Sequence, residues 1–178
     1  MDEQKESGQI IKSIILGLTG VGKQSILNKL SGLNTPGQDK GSLGIQYFNL
    51  KLESGEIVQV WNSKSEEPSG LVNELYFTGT QIFILIFDVT RRSTFDAVGQ
   101  YAEKINAKSS HVASQRHEVL LLGNKNDLEA ERVVSVDEAE QFAILNKMSY
   151  LDANTTSTPP STFISKIKDL VDILKLNE

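Results

Sequence analysis

Gly17-Leu18-Thr19-Gly20-Val21-Gly22-Lys23-Gln24 constrains this chain more than any other segment. It follows Gln9 to Leu16 (QIIKSIIL), which is short and apolar enough for a buried strand, and runs into KQSILNKL, whose apolar spacing is helical. Strand, glycine loop and helix in that order give the pattern Gly-x-x-x-x-Gly-Lys the context it needs. Glycines let successive N–H groups converge on one point, and a helix N-terminus adds about half a positive charge there. Lys23 adds a full charge. The expected site holds a chain of phosphates on Gly17, Thr19, Gly20, Val21, Gly22, Lys23, Gln24 and Ser25. The residue after the lysine is ordinarily Ser or Thr, whose hydroxyl ligates Mg²⁺. Here it is Gln24, with a carbonyl oxygen on a longer stem, and Ser25 lies about 100° round the helix.

A second motif lies about one hundred residues on. Glu118 to Leu122 (EVLLL) reads as a buried strand, and Gly123-Asn124-Lys125-Asn126-Asp127 follows it. Asn-Lys-x-Asp at the C-terminal end of a strand falls where open α/β sheets bind ligands. Guanine presents N1–H and a 2-amino group on one edge, and a carboxylate accepts both. Asp127 is placed for that role, whereas adenine offers no such pair of donors. Between the motifs, Ile45 to Leu52 and Glu56 to Trp61 alternate around Glu53-Ser54-Gly55, a hairpin signal. Gln81 to Phe87 (QIFILIF) reads as a central strand covered on both faces. Helical spacing runs from Thr94 to Ala107, from Ser135 with Glu138 as a capping box, and from Pro160 to Leu174, and Ser149 to Leu151 reads as a short last strand. Strands alternating with helices imply a mostly parallel sheet with helices on both faces. Residues 1–8 read as a flexible polar tail, with one domain from 9 to 178.

Composition narrows the partners. Eighteen basic against twenty-three acidic residues give a net charge of −5, which argues against nucleic acid and against an anionic membrane surface. There is no cysteine, so thiolate metal sites, cysteine nucleophiles and thioether lipids have no residue to use. No apolar run approaches the roughly 20 residues of a membrane span. His111 and His117 lack partners at metal-ligand spacing. Glu129, Glu131, Asp137, Glu138 and Glu140 read as a solvated face.

With GLTGVGKQ, LLGNKNDL and Phe87-Asp88-Val89-Thr90-Arg91-Arg92-Ser93-Thr94-Phe95, the chain resembles a Ras-superfamily small GTPase, most closely the Rab branch. The resemblance runs from about Ile10 to the last helix. It implies an α/β P-loop NTPase G domain with a six-stranded, mostly parallel sheet, and GTP or GDP as ligand with Mg²⁺. It also implies a cytoplasmic regulator of trafficking or complex assembly whose effectors or complex partners meet the 35–48 and 62–76 loops. By the family pattern, Ser42 takes the place of the threonine that senses the γ-phosphate and Mg²⁺. Asn124, Lys125, Asp127 and the segment Asn154-Thr155-Thr156 hold guanine, and Gln24 and Ser42 are the candidate metal ligands.

Several positions depart from that pattern. Thr35 stands where an aromatic residue packs on the purine. The metal-holding aspartate is Asn62, the γ-phosphate glycine is Ser65, and the water-orienting glutamine is Glu66, the one candidate catalytic residue. Hydrolysis is about 10⁻⁴ s⁻¹ without a helper protein even in ordinary members, so the expectation is very slow or absent turnover. Arg91 and Arg92 are read as a solvated helix end away from the phosphate loop. The usual C-terminal cysteine pair is missing before Lys175-Leu176-Asn177-Glu178, so no direct lipid anchor is expected on this chain, and membrane visits run through partners. Two alternatives stay open: a pseudo-GTPase adaptor that binds partners without nucleotide switching, and an ATP-using P-loop kinase, which the guanine-edge motif disfavours.

Overall fold

The structure is a computed structural model that describes residues 9–32, 46–62, 77–109 and 116–176. The Ile-rich segment forms β1 (Ile10–Leu16), and the helix after the glycine loop is α1 (Lys23–Ser31). The alternating pair forms β2 (Gln46–Lys51) and β3 (Ile57–Asn62), joined by a tight turn in which Gly55 donates to Leu52 and adopts φ 101°. The apolar run is β4 (Ile82–Asp88), buried along its whole length. Then come α2 (Arg92–Ser109), β5 (Glu118–Asn124), a single 3₁₀ turn at Glu129–Glu131, α3 (Val136–Leu145), β6 (Ser149–Asp152) and α4 (Pro160–Leu176).

The sheet has six strands in the order β2-β3-β1-β4-β5-β6, with β2 antiparallel to β3 and every other pairing parallel. This is the architecture expected from the sequence. Its physical cause is the double burial of β1, β4 and β5, whose neighbouring residues point into different helical layers. Ile11, Ile15 and Ile84 pack with α1 (Ile26, Leu27, Leu30) and α4 (Phe163, Ile167, Leu170). Ile14, Leu16, Leu85 and Phe87 pack with α2 (Phe95, Val98, Tyr101) and α3 (Ala139, Ala143). Each such aliphatic side chain contributes about 1.5–3 kcal/mol on burial. That sum holds the strand ends rigidly enough to carry a site on their loops.

Helix boundaries differ modestly from expectation. α2 starts two residues earlier because Thr94 Oγ1 accepts the Asp88 N–H at 3.0 Å and bonds the Arg91 carbonyl at 2.7 Å, closing the turn from β4. The cap on α3 forms on one side, with Ser135 Oγ accepting the Glu138 N–H at 3.1 Å. The Glu138 carboxylate turns instead to Arg92. Among the described residues, no helix is long and apolar enough to cross a membrane.

Candidate functional site

In this strand order the connections leave β1 in opposite directions, and the crevice outside the strand ends at such a point is where open α/β sheets take ligands. Three loops converge there: residues 17–22 after β1, the Asp88 turn after β4, and the Lys125 turn after β5.

The first loop has the backbone its glycines allow. Gly20 and Gly22 adopt φ 81° and 102°, and Gly22 caps α1 in the left-handed conformation. A Cβ on Gly17 would stand 2.4 Å from the Ile86 carbonyl oxygen. Lys23 Nζ lies over the loop, donating to the carbonyls of Gly17 at 2.5 Å and Leu18 at 3.1 Å. The ammonium is therefore held at the mouth of the loop by its own backbone.

The two motifs are physically joined. Asn124, 1% exposed at the end of β5, donates from Nδ2 to the Val21 carbonyl at 2.7 Å. It thus braces the turn after β5 against the loop after β1. Lys125 adopts φ 71°, a conformation uncommon outside glycine. Its ammonium pairs with Asp88 at 2.7 Å. Asp127 is exposed at the turn that follows.

The segment 154–156 closes the far side. Asn154 Oδ1 accepts the N–H groups of Thr156 at 2.9 Å and Ser157 at 2.6 Å, and the Asn154 N–H goes to Thr158 Oγ1 at 3.0 Å. Asn154 Nδ2 reaches Asn126 Oδ1 at 2.6 Å, and Lys29 of α1 donates to the Thr155 carbonyl at 2.9 Å. Asp152 anchors the floor, accepting from Arg132, Asn126 and Tyr150.

One sequence expectation is overturned here. Arg91 is exposed, as expected of a helix end, but it is not remote from the loop after β1. Its Nη2 donates to the Thr19 carbonyl at 2.8 Å, and its guanidinium lies 3.6–4.0 Å from where a Cβ on Gly20 would stand. The reason is Asp88. Its Oδ1 accepts the Thr90 N–H at 3.0 Å and the Thr90 hydroxyl at 2.7 Å, which turns the chain back, and its Oδ2 meets Arg91 Nε at 3.4 Å. Arg92 does behave as a surface residue, paired with Glu138 and the Val133 carbonyl.

Asp88, Asn126 and Asp152 were missed as site residues. Asp88 carried a legible signal, a charged residue closing an otherwise apolar buried strand. Burial pushes its carboxyl upward, but hydrogen bonds from Lys125 and Thr90 outweigh that and hold it below the usual carboxylate range. Its stabilisation is therefore full above the unfolded carboxyl's pKa of about 4 and is lost as pH falls through the lower folded value. Asp88→Asn should destabilise the fold by about 2 kcal/mol at pH 7, since it strands two partly exposed cations. Urea unfolding checks this, with the gap between wild type and variant narrowing as pH falls below the ordinary carboxyl range.

The divalent-cation position is unusual. Asn62 at the end of β3 donates from Nδ2 to Gln24 Oε1 at 3.1 Å, and Gln24 Nε2 donates to Asn28 Oδ1 at 2.9 Å. Asn62 Oδ1 is buried without a hydrogen bond. Mg²⁺ takes an octahedron of hard oxygens from carboxylates, hydroxyls, waters and phosphates. Two neutral amides bonded to each other bring neither a carboxylate nor a hydroxyl to that position and do not fit it. Ser25 is exposed on α1. Thr35, Ser42, Ser65, Glu66 and His111 lie outside the described residues, as do residues 1–8 and most of the 35–48 and 62–76 loops.

Comparison with known proteins agrees with this geometry. A family model for the Ras family matches residues 12–169. The Ras-related protein Rab-28 of Caenorhabditis elegans is 30% identical over 173 residues, covering 93% of this chain and 68% of the relative. The GTP-binding protein ypt3 of Schizosaccharomyces pombe is 27% identical over 157 residues, 86% of this chain and 72% of the relative. The Ras-related protein RABA5d of Arabidopsis thaliana is 27% identical over 176 residues, 96% and 77% respectively. With a glycine loop, a base loop braced to it and a matching family model over most of its length, the chain belongs to the Ras family and is Rab-like within it.

Proposed function

We propose that this chain binds GTP and GDP and serves as a Rab-like regulator of trafficking or complex assembly, with hydrolysis very slow or lost. The observation that carries the reading is the Asn124–Val21 bond at 2.7 Å, which couples a guanine-reading loop to a phosphate-binding loop. In this reading the N–H groups of residues 17–23 and the Lys23 ammonium hold the phosphates, with Ser25 and Ser42 near them. Lys125 lies along the base, and Asp127 accepts both donors of guanine's edge. Of the three N–H groups at 154–156, those of Asn154 and Thr156 are taken up inside the loop. That of Thr155 remains for the guanine carbonyl oxygen.

Chemistry at the γ-phosphate is the weak part. Phosphoryl transfer depends on positioning and charge neutralisation. Asn62 in place of aspartate and Glu66 in place of glutamine remove the usual means of both. Partner binding falls to the 35–48 and 62–76 loops. Beside them, Tyr47 of β2 and Trp61 of β3 stack at 4.9 Å between ring centroids and are partly exposed, an aromatic pair of the kind that anchors protein interfaces.

The adaptor reading keeps one observation of its own, the Gln24–Asn62 amide bond across the metal position. One experiment separates the two. Protein purified from cells should carry guanine nucleotide, and single-turnover hydrolysis should run below about 10⁻⁴ s⁻¹. Protein free of nucleotide and without measurable affinity for GDP or GTP would leave the adaptor reading alone standing. A rate equal to that of ordinary family members would remove the slow-turnover claim.

A further inference from the structure

We infer that the Gln24–Asn62 amide pair stands in for the divalent cation, so that this chain holds guanine nucleotide without Mg²⁺. The inference rests on the nucleotide-binding reading above and concerns what keeps that site together.

In the family pattern the cation meets a hydroxyl from the first turn of the helix and, through water, an aspartate at the end of the third strand. It is a mechanical link between two elements as well as a charge. In this chain the same two positions, 38 residues apart in sequence, are bonded directly, Asn62 Nδ2 to Gln24 Oε1 at 3.1 Å. The chain of amides continues to Asn28 one turn up α1, at 2.9 Å. A serine at 24 is shorter than the glutamine by two heavy atoms, and an aspartate at 62 offers no N–H to give, though it could accept from the Gln24 amide. The present pair supplies the contact as a hydrogen bond between two neutral amides instead of through an ion.

Charge is offset in two ways. Asn62 carries none, so the site lacks the anion that would otherwise add to the repulsion of a polyphosphate. The loop is also flanked by a cluster with a net positive charge. Asp88, buried, answers both Lys125 at 2.7 Å and Arg91 at 3.4 Å, and Arg91 lies against the loop at Thr19. A guanidinium is more weakly hydrated than an ammonium or a divalent cation, so its charge is available without an ion's dehydration. Mg²⁺ dehydrates reluctantly and here finds neither a carboxylate nor a hydroxyl at the two positions it would use.

The test is the affinity and dissociation rate of a fluorescent GDP analogue, measured in millimolar Mg²⁺ and again in excess EDTA. Wild type should show the two affinities equal within about threefold. The double variant Gln24→Ser/Asn62→Asp restores the hydroxyl and the carboxylate and should bind tenfold or more weakly in EDTA, a coupling of about 1.4 kcal/mol to the ion. Chelator-sensitive binding by wild type, tenfold or more, would overturn the inference and leave nucleotide binding intact. A double variant as insensitive as wild type would remove the role assigned to the pair. No binding in either condition would overturn both this inference and the reading it rests on. Should the double variant not fold, Gln24→Ala serves instead. With the link cut and no ion ligand supplied, its GDP dissociation should quicken equally in both buffers, and acceleration in EDTA alone would overturn the inference.

Discussion

Asp127→Asn should lower affinity for GDP by about 10²–10⁴, with little effect on folding. The carboxylate accepts only, and guanine's N1–H and 2-amino group give only, so the pair makes two charge-assisted bonds. Each is worth roughly 1.5–3 kcal/mol, and every 1.4 kcal/mol is tenfold. An asparagine keeps one acceptor and turns an NH₂ toward a donor, which converts one of those bonds into a repulsive contact. Asp127 is exposed on the turn after Lys125 and takes no part in the apolar core, so the fold has little stake in it. The loss should therefore appear in binding and not in the urea midpoint. Discrimination against adenine, which offers no such pair of donors, should fall with it. Xanthine nucleotides carry a carbonyl where guanine carries its amino group, and the variant's NH₂ should favour them. Competition of GDP, ADP and xanthosine diphosphate against one fluorescent guanine nucleotide reads all three effects. Unchanged GDP affinity in the variant would mean that Asp127 does not read the base.

Much of this site could be read from local pattern. The glycine loop sits between a short apolar strand and a helix, and the base motif ends a second buried strand. In both cases the residues that matter are adjacent in sequence, so spacing alone carries the geometry. The sheet was equally legible, because QIFILIF is apolar on both faces and a doubly covered strand must be central. Contacts between distant elements left no such trace. Nothing in FDVTRRSTF says that Arg91 folds back onto Thr19, 72 residues earlier, because that depends on the turn built by Asp88 and Thr90. Reading both arginines as a solvated helix end followed from charge pattern; both are exposed, but the pattern could not show that Arg91 reaches the loop. Gln24 and Asn62 each looked like a loss when read singly. Their bond to each other is a tertiary fact, and it changes two separate defects into one coordinated replacement.

Gly22→Ala should cost the fold and the site together. The residue adopts φ 102°, where an L side chain is strained by about 1–3 kcal/mol. Its new Cβ would stand 2.2 Å from Asn124 Nδ2, closer than any real contact, so the asparagine must leave the Val21 carbonyl it holds at 2.7 Å. Asn124 is buried and its Oδ1 already lacks a partner, so displacing the amide strands a second polar group at about 1–3 kcal/mol. The combined loss of roughly 2–6 kcal/mol is a large share of the 5–15 kcal/mol that holds a domain together. The damage also falls on the bond from Asn124 to the Val21 carbonyl, so guanine nucleotide affinity should drop by about 100-fold or more, two decades being some 2.8 kcal/mol. A double-mutant cycle separates the two causes. Asn124→Ala removes the obstructing amide and leaves the strained backbone untouched. The pair of substitutions should therefore destabilise by less than the sum of the singles, with a coupling of about 1 kcal/mol or more. Additive losses in urea unfolding would assign the effect to backbone strain alone and would deny Asn124 its place as the brace.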